Sequence, residues 1–262
     1  MKALQAAHAG RLSVLRDGKA IGSICRADIT AYTKIVAELG SEPNLEISPR
    51  DEMLDRAKTG YLAAGLSALG AIRRAVEMTG CAPTRILDFA CGHGRVVRFL
   101  QAAFPAADIT VSDIDPDAVA FCRETFGVRG FVSSEEPGPA DGCYDVIWCG
   151  SLLTHLDAER WPAWLAFFRD QLDPSGVLVF TTHGAHAAEE IRRAQGLPSA
   201  TFASYDATGF GYSELSGRRG YGDSLSALEW VRKTVEDASL RVIHNDERGW
   251  SDFQDVIVCV RS

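Results

Sequence analysis

Nothing in this chain is long and apolar enough to suggest a membrane span: no run approaches the roughly 18 apolar residues that a crossing helix needs. Gln5, His8, Arg11, Arg16, Asp17 and Lys19 stand where a secretory leader would have its apolar centre. Positive charge is also scarce. Lys and Arg number 27 against 35 Asp and Glu, a formal net charge of −8, which disfavours a function built on a broad phosphate-binding surface, so nucleic acid is not an expected partner. Paired cysteine motifs are missing as well. Cys25, Cys81, Cys91, Cys122, Cys143, Cys149 and Cys259 are odd in number, no two have CxxC spacing, and several sit inside apolar runs such as 146–149 and 256–259. That pattern argues against a disulfide framework and a metal site and suits reduced, buried thiols. The expectation is a soluble cytoplasmic protein with no membrane partner.

What the chain does have is apolar mass in an ordered pattern. With 262 residues, 46% of them hydrophobic, it can bury one large core plus a small appendage. Asp17-Gly18 favours the positive φ values of a two-residue turn between strand-like segments 11–16 and 19–25. Residues 1–47 therefore read as an N-terminal extension with a β-hairpin, a surface appendage or a dimer contact, and a homodimer stays open. Ser48-Pro49 followed by Asp51 reads as a helix start, with helical pieces at 49–58 and 61–77 on either side of Gly60. From residue 84 strand and helix patterns alternate, the mark of a parallel α/β sheet. Strands are expected at 86–89, 108–112, 131–133, 145–149, 177–182, 241–244 and 255–260. Helices are expected at 95–103, from Asp115 to 126, from Asp157 to 171, and from 226 to 238, where Ser226-Ala227-Leu228-Glu229 has capping-box spacing.

One stretch locates a ligand site. Ile86 to Phe89 forms a buried strand, and Gly92 and Gly94 permit a tight turn and a close backbone approach before an amphipathic helix at 95–103. A dinucleotide fold would place a third glycine at position 97, where Val97 stands. Asp88, just before the glycines, would repel a pyrophosphate but serve a ligand carrying an ammonium group. Asp113 follows Gly94 at the end of the next strand, where a carboxylate can accept both hydrogen bonds of a ribose diol. A ribose plus a cation without a phosphate describes S-adenosylmethionine. Each carboxylate also has a simpler reading, Asp88 as a partner of the helix macrodipole and Asp113 as a turn cap; their joint occurrence with the glycines favours the ligand.

At these residues the chain resembles the class I S-adenosylmethionine-dependent methyltransferases. The family's first motif is an acidic residue followed by alternating glycines, matched by Asp88-Phe89-Ala90-Cys91-Gly92-His93-Gly94 with Ala90 in place of the first glycine. Its ribose-binding acid matches Asp113 in 111–115, its fourth-strand motif matches 144–149, and the turn into its fifth strand matches 172–178. The resemblance implies a Rossmann-like α/β fold: a seven-stranded, mostly parallel sheet with helices on both faces, an antiparallel C-terminal strand and the N-terminal hairpin as extension. Residues 48–262 would form the methyltransferase domain, with 184–225 as an acceptor-side insertion or lid. The cofactor contacts it implies are Asp88, Ala90, Cys91, Gly92, Gly94, Asp113, Ile114, Ser133, Ser134, Gly150 and Ser151. Ser134, with Glu135 as substitute, takes the place of the carboxylate that often follows the third strand.

The implied activity is methyl transfer from S-adenosylmethionine to a small-molecule acceptor at oxygen or nitrogen, leaving S-adenosylhomocysteine. Such a displacement needs mainly alignment and removal of the acceptor's proton. His155 after the fourth strand is the first candidate base and His183 at the end of the fifth the second. The Asn/Asp-Pro-Pro-aromatic motif used on nucleobase nitrogens is absent after Cys149. The aromatic and glycine-rich segment 202–221 suits an acceptor pocket, with Tyr205, Tyr212, Arg218, Arg219 and Tyr221 as candidate contacts. Two other readings stay open: a NAD-dependent oxidoreductase and a binding module for S-adenosylmethionine without catalysis.

Overall fold

In a computed structural model the chain is described at residues 3–6, 12–16, 19–24, 26–39, 42–56, 60–138, 142–215 and 220–262. The first strands, β1 (Ala3–Ala6), β2 (Leu12–Arg16) and β3 (Lys19–Ile24), form an antiparallel sheet in which Arg16 pairs with Lys19. The hairpin expected around Asp17-Gly18 is thus present, with β1 added to it; the two turn residues lie outside the described ones. Helix α1 (Arg26–Leu39) packs along α3 (Tyr61–Thr79). Between them the helix expected at 49–58 is seen as one turn, α2 (Met53–Arg56).

The start of α3 is held from a distance. Its N-cap is Gly60, which has no side chain to satisfy the first N–H groups. Asp28 of α1 does so instead, accepting from Leu62 N at 2.6 Å and from Ala63 N at 3.0 Å. Further along, Gly65 lets α3 press on the following turn, since a Cβ there would lie 2.3 Å from the Arg95 carbonyl oxygen.

The main sheet is built from β4 (Arg85–Phe89), β5 (Asp108–Asp113), β6 (Arg129–Val132), β7 (Tyr144–Cys149) and β8 (Leu172–Thr182). Helices α4 (Val97–Ala103), α5 (Pro116–Phe126) and α6 (Trp161–Gln171) link successive strands. After β8 come α7 (Ala185–Arg193) and α8 (Ser199–Thr208), then a hairpin of β9 (Phe210–Glu214) and β10 (Gly222–Ser226). Helix α9 (Leu228–Asp237) and strands β11 (Leu240–Trp250) and β12 (Gln254–Arg261) complete the chain. The seven strands lie in the order β11–β12–β8–β7–β4–β5–β6. Strand β12 is antiparallel to both of its neighbours, and β4 to β8 are mutually parallel. This is the architecture expected from the alternating pattern and the family resemblance together.

Both faces of the sheet are covered, which is why its central strands are apolar almost throughout. Because successive side chains alternate, Ile86, Val146 and Trp148 enter one core with Leu62, Ile72 and Phe99, whereas Leu87, Phe89, Ile147 and Cys149 enter the other with Trp161, Phe168 and Val235. Among the described residues no helix is long and apolar enough to cross a membrane.

Three local expectations are corrected. Helix α4 begins at Val97 rather than 95, because residues 92–96 remain a turn. Ser226 does not cap α9: the N-cap is Ala227, and the Ser226 N–H is committed to the His183 carbonyl at 3.0 Å. The loop expected around Trp250 is the end of β11, bulged against β12. Replacing Asp28 by Ala should remove the remote cap and lower stability by about 1–2 kcal/mol in a denaturant titration.

Candidate functional site

Strand β4 lies where the direction of winding reverses, with β5 and β6 on one side and β7 and β8 on the other. Loops leaving the carboxyl ends of such strands diverge and open a crevice. Here the crevice is a cavity of about 850 Å³.

Its floor is the turn after β4. Ala90, Gly92 and Gly94 all have positive φ, at 58°, 51° and 84°. At Gly94 a side chain is also excluded by space, since a Cβ would fall 2.4 Å from the Phe126 ring. At Gly92 a Cβ would meet nothing within 4 Å, so the turn presents bare backbone to open space. Ala90 adopts the same left-handed conformation with a methyl group, at a cost of about 1–2 kcal/mol.

Hydrogen bonds from several directions hold this turn. Cys91 N donates to Ser112 O at 3.0 Å, and Gly92 N donates to Asp113 Oδ2 at 2.8 Å. From below, Arg98, 1% exposed, donates through Nε to Gly94 O at 2.9 Å and through Nη1 to the carbonyls of Asn44 and Glu46 at 2.9 and 3.0 Å. Asp113 Oδ1 also accepts from Asp115 N at 3.0 Å. Its carboxylate is thereby fixed at the lip of the cavity.

Around this floor the cavity takes Ala90, Asp113, Ile114, Ser133 and Ser134 from the β4, β5 and β6 ends. These five expected cofactor residues are brought together, with Glu135 beside them. Ser133 N is bonded to Asp113 O at 2.9 Å, and the Ser134 hydroxyl donates to Glu136 O at 2.6 Å. The opposite wall is Leu152, Leu156, Arg160 and Trp164, with Tyr221 from the segment before β10. Sequence reading missed the first four as site residues; they follow one another through the turns after β7 and into α6.

Other expected residues lie outside that lining. Asp88, 1% exposed, is under the turn on the α3 side of the sheet, and neither of its oxygens meets a hydrogen-bond partner among the described residues. Burial, reinforced by the charge of Asp113, raises its carboxyl to about 8, while the Arg95 charge opposes the rise. The Arg95 guanidinium itself lies over the Trp250 ring, 5.3 Å from its centre. Cys91 is buried, its thiol pushed well up by a hydrogen bond with Cys122 and by burial. Gly150 fits against Trp148 and Trp250, which a Cβ would meet at 3.1 and 3.2 Å. Ser151 is tied by its N–H to Thr181 Oγ1 at 2.9 Å and accepts from Gln254 Nε2 at 2.8 Å.

Both candidate histidines face β10. His155, in a 3₁₀ turn after β7, has Nδ1 at 2.7 Å from Gly222 O and 3.3 Å from Asp223 Oδ1, and its ring stacks on Tyr221. His183 has Nδ1 at 3.1 Å from Ser224 O and Nε2 at 3.5 Å from Gln254 Nε2. Burial, helped by the nearby His155, pushes its imidazole down to about 4. Asp223 had not been expected, and no local pattern announces it. Tyr212 packs into the core shared with Trp161, and Tyr205 packs against the cluster of Ala188, Phe202 and Leu225. Arg218 and Arg219 lie outside the described residues.

Comparison with known proteins bears on this arrangement. The biotin biosynthesis bifunctional protein BioCD of Bordetella avium is 31% identical over 165 residues, 58% of this chain and 35% of that protein. A malonyl-[acyl-carrier protein] O-methyltransferase of Laribacter hongkongensis is 29% identical over 134 residues, covering 46% of this chain and 44% of the relative. The matches thus span less than half the length of both relatives. Among solved structures, an S-adenosylmethionine-dependent methyltransferase from Clostridium acetobutylicum superposes with a TM-score of 0.58 at 14% identity, over 80% of this chain and 96% of that one, a likeness of fold. A family model described as a methyltransferase domain matches residues 53–215, the span that carries the glycine turn, Asp113 and most of the cavity wall. The chain belongs to this methyltransferase-domain family.

Proposed function

We propose that the chain transfers a methyl group from S-adenosylmethionine to a small acceptor in the 850 Å³ cavity, with S-adenosylhomocysteine as the other product. The observation that carries this reading is the Asp113 carboxylate at the cavity lip. Two backbone N–H groups orient it, and each oxygen keeps a further lone pair for a ribose diol. The rest of the site fits the same group. The space over Gly92 is open, and Ile114 and Leu152 offer apolar surface from the β5 and β7 sides. Ser133, Ser134 and Glu135 would meet the edge of the adenine, and Ala90, Cys91, Gly92, Gly94, Gly150 and Ser151 would frame the amino-acid end. A pyrophosphate suits this turn less, because Val97 fills the place of a third glycine and the Asp113 carboxylate stands at the cavity lip.

Bound there, the sulfonium supplies a methyl carbon already activated for displacement, so the protein has to align the acceptor and take its proton. Leu156, Trp164 and Tyr221 form an apolar wall that keeps water from the acceptor. Arg160 ties this wall to the hairpin side by donating to Gly220 O at 2.6 Å. His155 is assigned as the proton acceptor. His183, held neutral at about 4 by burial, is the weaker base and steadies Gln254. In the same reading 48–262 is the transferase unit, supported by the family match to 53–215, 184–225 its acceptor side, and 1–47 an extension that steadies α3. Free thiols at Cys91, Cys122, Cys149 and Cys259 support a reducing compartment, the cytoplasm.

Calorimetry with S-adenosylhomocysteine tests the cofactor. Binding should be seen with the native chain and weaken about 10–100-fold in Asp113→Ala, the loss expected for charge-assisted hydrogen bonds; tight binding of NAD alone would overturn the reading. Transfer of a labelled methyl group to an acceptor separates enzyme from inert binder, and failure across a broad panel would favour the latter. A second expectation concerns Asp88. Its carboxyl titrates near 4 in the unfolded chain and about 8 in the folded one, so the folded state binds the extra proton and loses stability as pH rises between those values. The melting temperature of Asp88→Asn relative to the native chain should therefore climb from pH 5 to pH 9.

A further inference from the structure

The β9–β10 hairpin meets the sheet through two histidines. Gly222 and Ser224, alternate residues of β10, present their carbonyls to one side, and each lies against an imidazole Nδ1, of His155 at 2.7 Å and of His183 at 3.1 Å. The Ser224 hydroxyl adds a bond to Leu153 O at 2.9 Å. These contacts seat the strand against the 3₁₀ turn that carries His155. Asp223, between the two, then brings Oδ1 to 3.3 Å from His155 Nδ1. The His155 hydrogen bond, opposed by burial, holds the Asp223 carboxyl below its ordinary range, so it is an anion at neutral pH.

With two oxygen acceptors on one side, the ring proton of neutral His155 belongs on Nδ1 and its lone pair on Nε2. The Tyr221 ring, itself part of the cavity wall, stacks on the imidazole at 4.7 Å with an angle of 21° and fixes its plane. The titratable groups facing His155 are Asp223 from β10, Tyr221 stacked on it and His183 from the end of β8. His183 stays neutral at physiological pH, so it brings no charge to compete for Asp223.

We propose that Asp223 is a positioning residue, which orients His155 and balances its charge so that Nε2 takes the acceptor's proton. This rests on the methyl-transfer reading above. In the step, the O–H or N–H bond of the acceptor yields its proton to Nε2, and the freed lone pair forms the bond to the methyl carbon. The electrons of the breaking carbon–sulfur bond stay on sulfur, which becomes a neutral thioether, and the imidazolium is paired with the Asp223 carboxylate. A group that is already an anion, such as a carboxylate, has no proton to give. The pair therefore selects an acceptor presenting a hydroxyl or an amine. Because Asp223 belongs to the hairpin, the proton-accepting pair exists only when that hairpin is seated.

Nitrogen-15 spectra of the histidine rings test this without cofactor or acceptor, with His155→Gln used for assignment. At a pH where its ring is neutral, His155 of the native chain should carry its proton on Nδ1 and leave Nε2 bare. In Asp223→Asn the Nδ1 proton of His155 should exchange with water at least about tenfold faster, the loss of one charge-assisted bond, while the Nδ1 proton of His183 against Ser224 keeps its protection. A neutral His155 with its proton on Nε2 in the native chain would overturn the proposal. So would an unchanged His155, which would mean that Gly222 alone orients the ring, or loss of both signals, which would make Asp223 a residue of hairpin docking. Calorimetry with S-adenosylhomocysteine on Asp223→Asn, expected to match the native chain, keeps this outcome separate from the cofactor reading.

Discussion

The guanidinium of Arg98 lies buried between the glycine turn and the segment around residue 45, bonded to carbonyls on both. A charge so far from water is tolerated because carbonyl oxygens accept its protons and the rings of Tyr61 and Phe126 lie 5.3 and 5.2 Å from it. The arrangement of the site follows from this contact. It fixes the Gly94 carbonyl, which sets the direction in which α4 leaves. It also draws residues 44–46 over the first core, so that the approach to α3, the start of α3 and the floor of the cavity share one anchor. Asp51 and Tyr61, joined at 2.5 Å beside the same guanidinium, extend the network into α3. A segment peripheral in sequence is therefore structural support for the turn.

The two halves of the cavity are built by different means. The side near β4, β5 and β6 is backbone geometry: left-handed residues, strand ends, and a carboxylate held by N–H groups. The side near β7 and β10 is made of side chains, Leu152, Leu156, Arg160 and Trp164 along the way into α6 and a hairpin seated through two imidazoles. The first kind of surface suits a ligand whose shape does not vary. The second changes with each substitution. This division fits a protein that binds one donor and is specialised by its acceptor.

Much of the first half was legible in the sequence. Alternating apolar strands, the glycine spacing, and acids at 88 and 113 report local requirements; they sufficed for a parallel α/β sheet and the glycine turn, while the antiparallel last strand and most of the expected cavity residues followed from the family resemblance. What was not legible depends on contacts between distant parts of the chain. Asp28 reaches α3 across 34 residues and His155 meets Gly222 across 67, and neither pairing leaves a trace in local pattern. The region after β8 reads in the sequence as an insertion or lid at 184–225, with no elements assigned to it. Gly211 and Gly222 are instead strand residues of a hairpin, and a Cβ at either would lie 2.2 Å from a neighbouring carbonyl oxygen, of Thr201 and Ser213 respectively. Ser226 misled for a related reason: its spacing to Glu229 is that of a cap, but strand pairing claimed it first.

Ala90 gives the turn an unusual dependence on its surroundings. A glycine there would visit the left-handed region on its own, in the unfolded chain as in the folded one. Alanine avoids it, so the local sequence at this position opposes the shape of the binding floor, and only distant contacts impose that shape. The floor is then not a preformed local motif that could outlast partial unfolding. It should appear and vanish together with the packing of the whole domain, which makes ligand binding a report on the integrity of the fold and leaves a partly opened chain little residual affinity with which to hold the proposed cofactor.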